Sequence, residues 1–395
     1  MSDRALIVLL AVIVTIGSIA TNIYIPALPA VRADFGVSVA EAQATFAVAL
    51  VTFAIGMLCW GPISDRYGRR NAILWGVAIM AVGSAIGLFS TTIHWLVLGR
   101  AVQAFGTATG IVVARAVISD RFPAERMART LAQLGVVAVI ASGTAPVFGG
   151  LLTAAFGWRS VFVALLLVAA TVGWFAWRHL PETRPPTSHP PPPREMALAA
   201  VSLLRTPLYV SCVVQASAAY AIFVVLISLA PYVMINALGR PATEYGFYYL
   251  FISVGYLLGN WGVSRFGGRG QRWAISFGSV LQFGSAIVAV ALAGLGFDHP
   301  LAIFAPMGLL FFGQGLFMPH LTAIAVSLAP PRATGVGAST LGFLNQVIAA
   351  FCVQLMGLGE SVSSMPMLLF CLGAAALQLG VLRLSPPMEP AGRTA

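Results

Sequence analysis

The chain has 395 residues, of which 59% are apolar and 9% charged, and its mean hydropathy is +0.90. A soluble domain carries about a quarter charged residues, so this composition excludes an ordinary water-soluble fold and makes lipid the main solvent. The formal net charge of +10 comes from 22 arginines spread between apolar runs, with no basic domain or arm. That pattern excludes a nucleic-acid-binding protein. The four cysteines lie singly in apolar runs and are interpreted as small hydrophobic side chains.

A membrane-spanning helix needs roughly 20 mostly apolar residues. Runs of this kind cover 5–30, 42–62, 71–90, 95–118, 130–155, 159–178, 207–234, 244–263, 272–296, 301–328, 334–357 and 364–384. The first run is too long for the apolar core of a signal peptide, which has roughly 7–15 residues. We therefore predict an all-α membrane protein of twelve transmembrane helices.

A proline-rich segment divides the runs into two groups of six. Residues 179–206 contain Pro185–Arg194, whose consecutive prolines favour an extended polyproline II path. This segment is predicted to be a cytoplasmic linker. The N-terminal six-helix bundle is accordingly predicted at 1–178 and the C-terminal bundle at 207–395.

An internal repeat supports this division. Gly56–Gly68 and Gly255–Gly267 match at four positions, with a constant offset of 199 residues. Secondary transporters are commonly built from such repeated halves, with the substrate site between them.

The distribution of arginines predicts the orientation in the membrane. If the N-terminus is cytoplasmic, 17 arginines fall on the cytoplasmic side and three, Arg32, Arg159 and Arg240, on the other side. Two more, Arg100 and Arg115, fall inside helix four, and Arg115 is interpreted as an anchor near its inner end. Both termini are therefore predicted to be cytoplasmic.

Two prolines interrupt the outer end of helix one, in a stretch that runs Ala20-Thr21-Asn22-Ile23-Tyr24-Ile25-Pro26-Ala27-Leu28-Pro29. Prolines at this spacing loosen a helix. Asn22 and Arg100 are predicted to lie at similar depth, since helix one runs outward and helix four inward.

The segment between helices two and three has the pattern G-x-x-x-D-R-x-G-R-R, and we interpret it as a tight ten-residue turn. Its motif residues are Gly61, Asp65, Arg66, Gly68 and Arg69. The pattern resembles the signature loop of the major facilitator superfamily. That resemblance implies two pseudo-symmetric six-helix bundles around a cavity that opens alternately to each side. It also implies an ion-pair network of Asp65, Arg69 and Asp120 that closes the cytoplasmic side. The alternative is a positive-inside turn with a helix-capping aspartate.

The helix-one stretch is similar to that of the bicyclomycin/chloramphenicol-resistance drug:proton antiporters within this superfamily. The family has aspartate where this chain has Asn22, and an amide cannot titrate. The resemblance therefore predicts that the proton carrier lies elsewhere, with Glu41 at the outer start of helix two and His320 as candidates. His320 is the only histidine inside a predicted span. Its unperturbed pKa near 6.5 suits a proton carrier, and a buried neutral histidine is the alternative.

Helix four carries Arg100 inside a predicted span. An arginine there costs a few kcal/mol at least, so it requires a partner or an aqueous cavity. The alternative is snorkelling toward the outer headgroups. Arg100 and Gln103 resemble the superfamily's fourth-helix motif, in which the arginine takes part in proton coupling.

Helix five contains Ala145, Pro146, Gly149 and Gly150, in the order A-P-x-x-G-G. The stretch resembles the G-P-x-x-G-G motif of exporters, with Ala145 in place of the first glycine. Generic close packing of helices through small residues is the alternative. If the resemblance holds, the motif favours export over uptake.

By family analogy, helices one, four, seven and ten line the cavity. The candidate lining residues are Asn22, Tyr24, Arg100, Gln103, Thr107, Gln215, Tyr220, Gln314 and His320. Such a lining suits uncharged or weakly charged amphipathic compounds.

We therefore predict a monomeric transporter of the bacterial inner membrane that exports drugs or drug-like compounds by proton antiport. The proton gradient supplies the energy, and no cofactor, metal or nucleic acid is expected. The chain lacks a phosphate-cradling GxxxxGKS loop and a nucleophile elbow, which disfavours an ATP-driven pump and an enzyme. The runner-up is an uncoupled facilitator for a neutral metabolite. A membrane receptor or scaffold is the alternative from another class.

Overall fold

The computed structural model describes residues 3–184, 193–266, 269–329, 334–359 and 363–385. Helices dominate this part of the chain, because a backbone in lipid must satisfy its hydrogen bonds within its own segment. The helices are α1 (Asp3–Asn22), α2 (Leu28–Phe35), α3 (Val39–Tyr67), α4 (Arg69–Leu88), α5 (Ile93–Arg121), α6 (Ala124–Phe156), α7 (Ser160–His179), α8 (Pro193–Leu204), α9 (Pro207–Tyr232), α10 (Ala242–Arg265), α11 (Gln271–Gly294), α12 (Pro300–Ser327), α13 (Thr334–Gly357) and α14 (Ser364–Leu384).

Eleven helical segments of the described chain are long and apolar enough to cross a membrane. Asp3–Phe35, which contains α1 and α2, counts as one of them. The predicted eighth span forms α10, which has 24 residues and so a length of about 36 Å. α10 is less apolar than the eleven membrane-spanning segments, because its side chains include Glu244 and Asn260, and it is not counted among them. The predicted all-α membrane architecture is confirmed.

The first membrane helix is broken near its outer end, as its prolines predict. α1 ends at Asn22, a short 3-10 turn covers Ile25–Ala27, and α2 starts at Leu28. Pro26 and Pro29 have no amide hydrogen to donate to the preceding turn, and this loss of two helical hydrogen bonds favours a break here. The break leaves carbonyl groups of α1 free to accept other donors.

The predicted ten-residue turn between helices two and three is wrong in its length. α3 continues through Pro62 to Tyr67, and α4 starts at Arg69, so Gly68 alone links the two helices. Gly68 has φ of 96° and ψ of 152°, a conformation that glycine adopts without steric cost. The motif residues therefore sit on two helix ends rather than on a loop.

The predicted linker contains a helix. α8 covers Pro193–Leu204, within the predicted 179–206 segment, whereas the proline run at 185–192 lies outside the described residues. A helix forms here because Glu195–Leu204 contains no proline and is rich in alanine and leucine.

The contacts divide the chain into two compact units. The first unit contains Met1–Pro190, Ala230–Phe247 and Val353–Glu360. The second unit contains Pro191–Leu229, Tyr248–Cys352 and Ser361–Ala395. The predicted boundaries at 178 and 207 stay a prediction.

Glycines bring α4 and α5 of the first unit into backbone contact. A Cβ on Gly83 would lie 2.2 Å from the backbone nitrogen of Gln103, and one on Gly106 would lie 2.5 Å from the carbonyl oxygen of Gly76. Small residues let membrane helices approach this closely. In the second unit, Gly278 of α11 and Gly313 of α12 pair in the same way, at 2.6 and 2.5 Å.

Candidate functional site

A buried arginine lies at the centre of a polar cluster in the first unit. Arg100 on α5 is only 1% exposed. Its Nη1 donates to the carbonyl oxygen of Ala20 at 3.1 Å and to Oε1 of Gln103. Its guanidinium carbon lies 4.4 Å from the centre of the Tyr24 ring. The guanidinium is therefore enclosed by protein and does not extend to the lipid headgroups.

The end of a broken helix explains how this charge is held. Because α1 ends at Asn22, carbonyl groups near its end are left without helical partners, and the carbonyl group of Ala20 accepts from Arg100 instead. A cation at the negative end of a helix is stabilised by the helix dipole, and its contact with Tyr24 adds about 0.5–2 kcal/mol. Within the described residues, no carboxylate lies within 4.0 Å of Arg100.

Further hydrogen bonds hold the groups that contact Arg100. The Tyr24 hydroxyl shares a 2.8 Å hydrogen bond with the hydroxyl of Thr45 on α3. The amide of Gln103 donates to Oγ of Ser84 on α4 at 2.7 Å. Hydrogen-bonded chains of buried polar groups fix side-chain orientation, although Nε of Arg100 has no hydrogen-bond partner among the described residues. Three helices thus position the aromatic ring and the amide oxygen around the guanidinium.

Asn22 joins the first membrane helix to α6. Its Nδ2 donates to the carbonyl oxygen of Ser18 at 2.8 Å and to Oγ of Ser142 at 2.9 Å. The amide thus serves as a neutral donor at the break. Thr107 is buried farther along α5, where its hydroxyl donates to the carbonyl oxygen of Ala104.

Glu41 is exposed at the start of α3, where it forms a capping box. Its carboxylate accepts from the backbone nitrogen and from the hydroxyl of Ser38, both at 2.8 Å. The Glu41 amide donates back to the Ser38 hydroxyl at 3.2 Å. In this structure the carboxylate therefore caps a helix, and its role as a proton carrier stays a prediction.

In the second unit, α9 and α13 are joined by polar side chains. Tyr220 donates to Oε1 of Gln346 at 3.0 Å, and Ser217 donates to Oδ1 of Asn345 at 2.8 Å. Gln215 is fully buried, with its amide donating to Oγ of Ser211 at 2.9 Å. The structure thus places two predicted lining residues, Gln215 and Tyr220, on one helix.

The two predicted lining residues of α12 differ in burial. Gln314 is buried, and its Oε1 has no hydrogen-bond partner among the described residues. His320 is half-buried, and its backbone carbonyl accepts from the side chain of Gln271 at 3.3 Å. A buried amide oxygen without a partner costs about 1–3 kcal/mol, so Gln314 offers an acceptor for a ligand or a water molecule.

The predicted ion-pair network is present at the opposite end of the first unit. Arg69 is buried, and its Nη1 donates to Oδ1 of Asp65 at 2.5 Å and to Oγ of Ser64 at 2.7 Å. Its Nε donates to Oδ2 of Asp120 at 2.9 Å. The ends of α3, α4 and α5 are thereby tied to one guanidinium, whereas Arg66 is exposed and lies over the Tyr67 ring.

Glu182 completes this network. It follows α7 and accepts from the backbone nitrogens of Arg69 and Arg70, at 2.8 and 3.2 Å. Partial burial raises the pKa of Glu182, but donation from the backbone nitrogens of Arg184, Arg69, Arg70 and Thr183 outweighs it and holds the pKa below its usual value. The ionised carboxylate caps α4, whose preceding residue, Gly68, has no side chain to do so.

The A-P-x-x-G-G stretch packs against backbone on two sides of α6. A Cβ on Gly149 would lie 2.0 Å from the carbonyl oxygen of Ile23, at the break in the first membrane helix. A Cβ on Gly150 would lie 2.7 Å from the carbonyl oxygen of Ala242, at the start of α10. Gly246 contacts the stretch in return, because its Cβ would lie 2.5 Å from Cα of Val147. Ala145 is buried beside Pro146 in the same helix.

We expect Gly149→Ala to destabilise the protein. The added methyl group meets backbone that cannot move aside alone, and overpacking of this kind costs about 1–3 kcal/mol. The matched control is Gly135→Ala on the same helix, where a Cβ meets nothing within 4 Å. The control should be neutral or slightly stabilising, because alanine favours a helix by about 1 kcal/mol over glycine. Thermal unfolding in detergent measures both, and equal midpoints would contradict the packing argument.

The fold and its two polar clusters define a class of protein: a multi-pass membrane transporter with an ion-paired helix junction and a buried intramembrane arginine. A model of the Major Facilitator Superfamily matches residues 10–353. The chain belongs to this superfamily, and it is a transporter rather than an enzyme.

Known relatives are similar over most of the chain. Multidrug resistance protein D of Escherichia coli (strain K12) is 26% identical over 367 residues, which cover 90% of each chain. A chloramphenicol resistance protein of Pseudomonas aeruginosa is 29% identical over 399 residues, covering 96% of this chain and 90% of that protein. The inward-open structure of the xylose transporter XylE from E. coli matches with a TM-score of 0.79 at 13% identity, over 100% of this chain and 98% of that one. The predicted family and fold are confirmed.

Sequence reasoning missed several residues of these clusters. Thr45 and Ser84 bind the groups that contact Arg100, and Ser142 binds Asn22. Small polar residues of this kind are common in membrane helices and carry no pattern of their own. Glu182 lay within the predicted linker. A signal for it existed, because α4 starts without a capping side chain of its own.

Proposed function

We propose that this transporter exports small organic compounds of the drug-like kind, and that a proton gradient drives the export by alternating access. The observation that carries the proposal is the buried guanidinium of Arg100, held at the end of α1 by Ala20, Gln103 and Tyr24. A charged side chain inside a membrane span is energetically unfavourable. Arg100 is such a side chain, and it lies beside the break that follows α1 in the first unit.

The predicted lining residues support this substrate class. They are aromatic rings, amides and hydroxyls, exemplified by Tyr24, Gln103 and Tyr220, with few groups that carry a charge. A mostly apolar lining with a few oriented polar groups is usual for sites that bind small molecules. Uncharged or weakly charged amphipathic compounds suit it, and two relatives are named for resistance to multiple drugs and to chloramphenicol.

The proton carrier must lie outside the Arg100 cluster as described, since Asn22 and the partners of Arg100 do not titrate near neutral pH. His320 and Glu41 remain the two candidates. We favour His320, because it lies within α12 and is only half-buried, whereas the Glu41 carboxylate caps α3.

An uncoupled facilitator for a neutral metabolite is the second candidate function. The observation that favours it is the pair of hydrogen bonds from Asn22 to Ser18 and Ser142, because an amide at this position does not take up or release a proton near neutral pH.

We further propose that the chain resides as a monomer in the inner membrane, with both termini in the cytoplasm. Arginines cluster at one end of the first unit, where Arg69 pairs with Asp120 and Arg126 pairs with Asp3. This end is the cytoplasmic one by the positive-inside rule.

Accumulation of labelled chloramphenicol in an efflux-deficient bacterium tests the proposal. The chains compared are wild type, Asn22→Asp and His320→Gln, each with and without a protonophore, against an empty vector. We expect wild type to lower accumulation, the protonophore to abolish this effect, and His320→Gln to export no better than the vector.

The other outcomes separate the candidates. If wild type matches the vector while Asn22→Asp lowers accumulation, the native chain is uncoupled for this drug and the facilitator takes precedence. If export by His320→Gln equals that of wild type and still responds to the protonophore, Glu41 becomes the candidate carrier. If no variant changes accumulation, chloramphenicol is not a substrate.

A further inference from the structure

An apolar groove of about 360 Å³ runs along the outside of the second unit between α11 and α12. Its lining consists of Phe277, Val280, Leu281, Gly284, Ser285, Val288, Pro306 and Leu309. Gly284 opens the middle of the groove, because a Cβ built on it meets nothing within 4 Å. The groove lies on membrane-spanning helices, so lipid acyl chains surround it.

A cluster of one arginine and three aromatic side chains lies near the start of α11. The guanidinium of Arg269 lies 4.9 Å from the ring centre of Trp273 and 5.6 Å from that of Phe266. Trp273 in turn stacks on Phe277, with ring centres 4.9 Å apart and planes 7° apart. Since Phe277 also lines the groove, the cluster and the groove are continuous.

The charged residues of this stretch of the chain have one sign. Arg265, Arg269 and Arg272 lie around the start of α11, and no acidic residue occurs between Arg265 and Phe297. α11 begins after Gly270, which offers no capping side chain. The first backbone amides of the helix therefore add partial positive charge.

The spacing fits one leaflet of a bilayer. Trp273 and Gly284 are eleven residues apart on α11, which is about 16 Å at 1.5 Å per residue. The hydrocarbon core of a bilayer is about 30 Å thick, so Gly284 lies about half its thickness from Trp273. Tryptophan and arginine are typical of the headgroup level.

We propose that this surface binds one anionic phospholipid of the arginine-rich leaflet. Its phosphate contacts Arg269 and the start of α11, and one acyl chain lies in the groove past Phe277 and Gly284. A phospholipid fits both features of this surface. Its headgroup fits the arginine and aromatic rings at one end, and its acyl chain fits the apolar groove, which is about one leaflet long. A zwitterionic lipid would fill the groove but leave the charge of the arginines unmatched.

Native mass spectrometry of the purified full chain tests the proposal, with dioleoylphosphatidylglycerol and dioleoylphosphatidylethanolamine as probes. We expect wild type to bind one phosphatidylglycerol in preference to phosphatidylethanolamine. Gly284→Leu should lose both lipids, because the new side chain fills the groove. Arg269→Gln should bind phosphatidylglycerol about fivefold more weakly, as expected for one arginine near an anionic headgroup, with phosphatidylethanolamine unchanged.

Two substitutions on α14, which contributes no residue to the groove, serve as matched controls. Gly373→Leu adds the same side chain where a Cβ also meets nothing within 4 Å, and Arg383→Gln removes an exposed arginine from the last turn of α14. Both should bind as wild type does. Equal retention by Gly284→Leu and Gly373→Leu overturns the groove as the acyl site. Equal binding of the two lipids by wild type, or an unchanged preference in Arg269→Gln, overturns the headgroup site.

Discussion

Replacing Arg100 by alanine is expected to abolish export while leaving the chain in the membrane. The substitution leaves the Ala20 carbonyl and the Gln103 amide oxygen without their donor, and it removes the cation from the Tyr24 ring. A hydrogen bond from a charged group contributes about 1.5–3 kcal/mol. We expect the loss of both hydrogen bonds to lower the transport rate by at least about tenfold. Uptake of labelled drug into inverted membrane vesicles, which corresponds to export from the cell, measures the effect when it is normalised to the amount of protein.

Arg121→Ala on the same helix is the matched control. Arg121 is exposed and lies 3.6 Å from Asp3, and exposed pairs of this kind contribute about 0–1 kcal/mol. Its efflux should equal that of wild type. Arg100→Lys separates charge from geometry, because an ammonium lacks the planar, multiply donating head that reaches both acceptors. We expect it to retain a small fraction of activity, and efflux by Arg100→Ala at the wild-type rate would refute a role for the guanidinium.

Asp120→Asn is expected to destabilise the junction of α3, α4 and α5. Asp120 accepts from Arg69 at 2.9 Å, and both side chains are largely buried, with 11% and 7% exposed. Removing one partner of a buried ion pair costs about 3–5 kcal/mol, and the lower end applies because Asp65 remains beside Arg69. Heating should unfold the variant at a lower temperature than wild type, which loss of the helical circular-dichroism signal in detergent detects.

The same chemical change at Asp3 provides the comparison. Asp3 pairs with Arg126 at 2.8 Å, but the side chains are 34% and 49% exposed. Asp3→Asn should shift the unfolding temperature little, because solvent screens this pair. Equal shifts of the unfolding temperature in Asp3→Asn and Asp120→Asn would show that burial does not strengthen the Asp120 ion pair. They would contradict the conclusion that Arg69 stabilises the helix junction. Loss of export in Asp120→Asn under conditions where the chain stays folded would further link the junction to transport.

Much of the fold was predictable because the bilayer imposes strong constraints on sequence. Apolar runs of about 20 residues mark spans. Pro26 and Pro29 predicted a loosened outer end of the first span, and the structure shows α1 ending at Asn22. The lengths of connections were less predictable. α3 continues through Pro62 to Tyr67, five residues beyond the apolar run. The apolar pattern marks where the span leaves the lipid, but it does not mark where the helix ends.

The polar clusters were predictable from the sequence only in part. Arg100, Asp65 and Arg69 stood out because a charge in or near a span is costly. Tyr24, Gln103 and Asp120 were also predicted, but Ala20 and Glu182 were not. Arg100 binds the backbone carbonyl of Ala20, and the helix that begins at Arg69 depends on Glu182 for its cap. A carbonyl is present at each residue, so no sequence pattern identifies the one that is left free.

The sequence by itself determined that this chain is a helical transporter of two repeated halves, because composition, run length and the D-R-x-G-R-R motif are local properties. Only the tertiary structure decided what Arg100 binds, which backbone Gly149 and Gly150 touch, and how Glu182 reaches the start of α4. Those contacts join residues that are tens to more than a hundred positions apart. They depend on where each helix ends and how closely its neighbours approach, and these features emerge only when the helices pack.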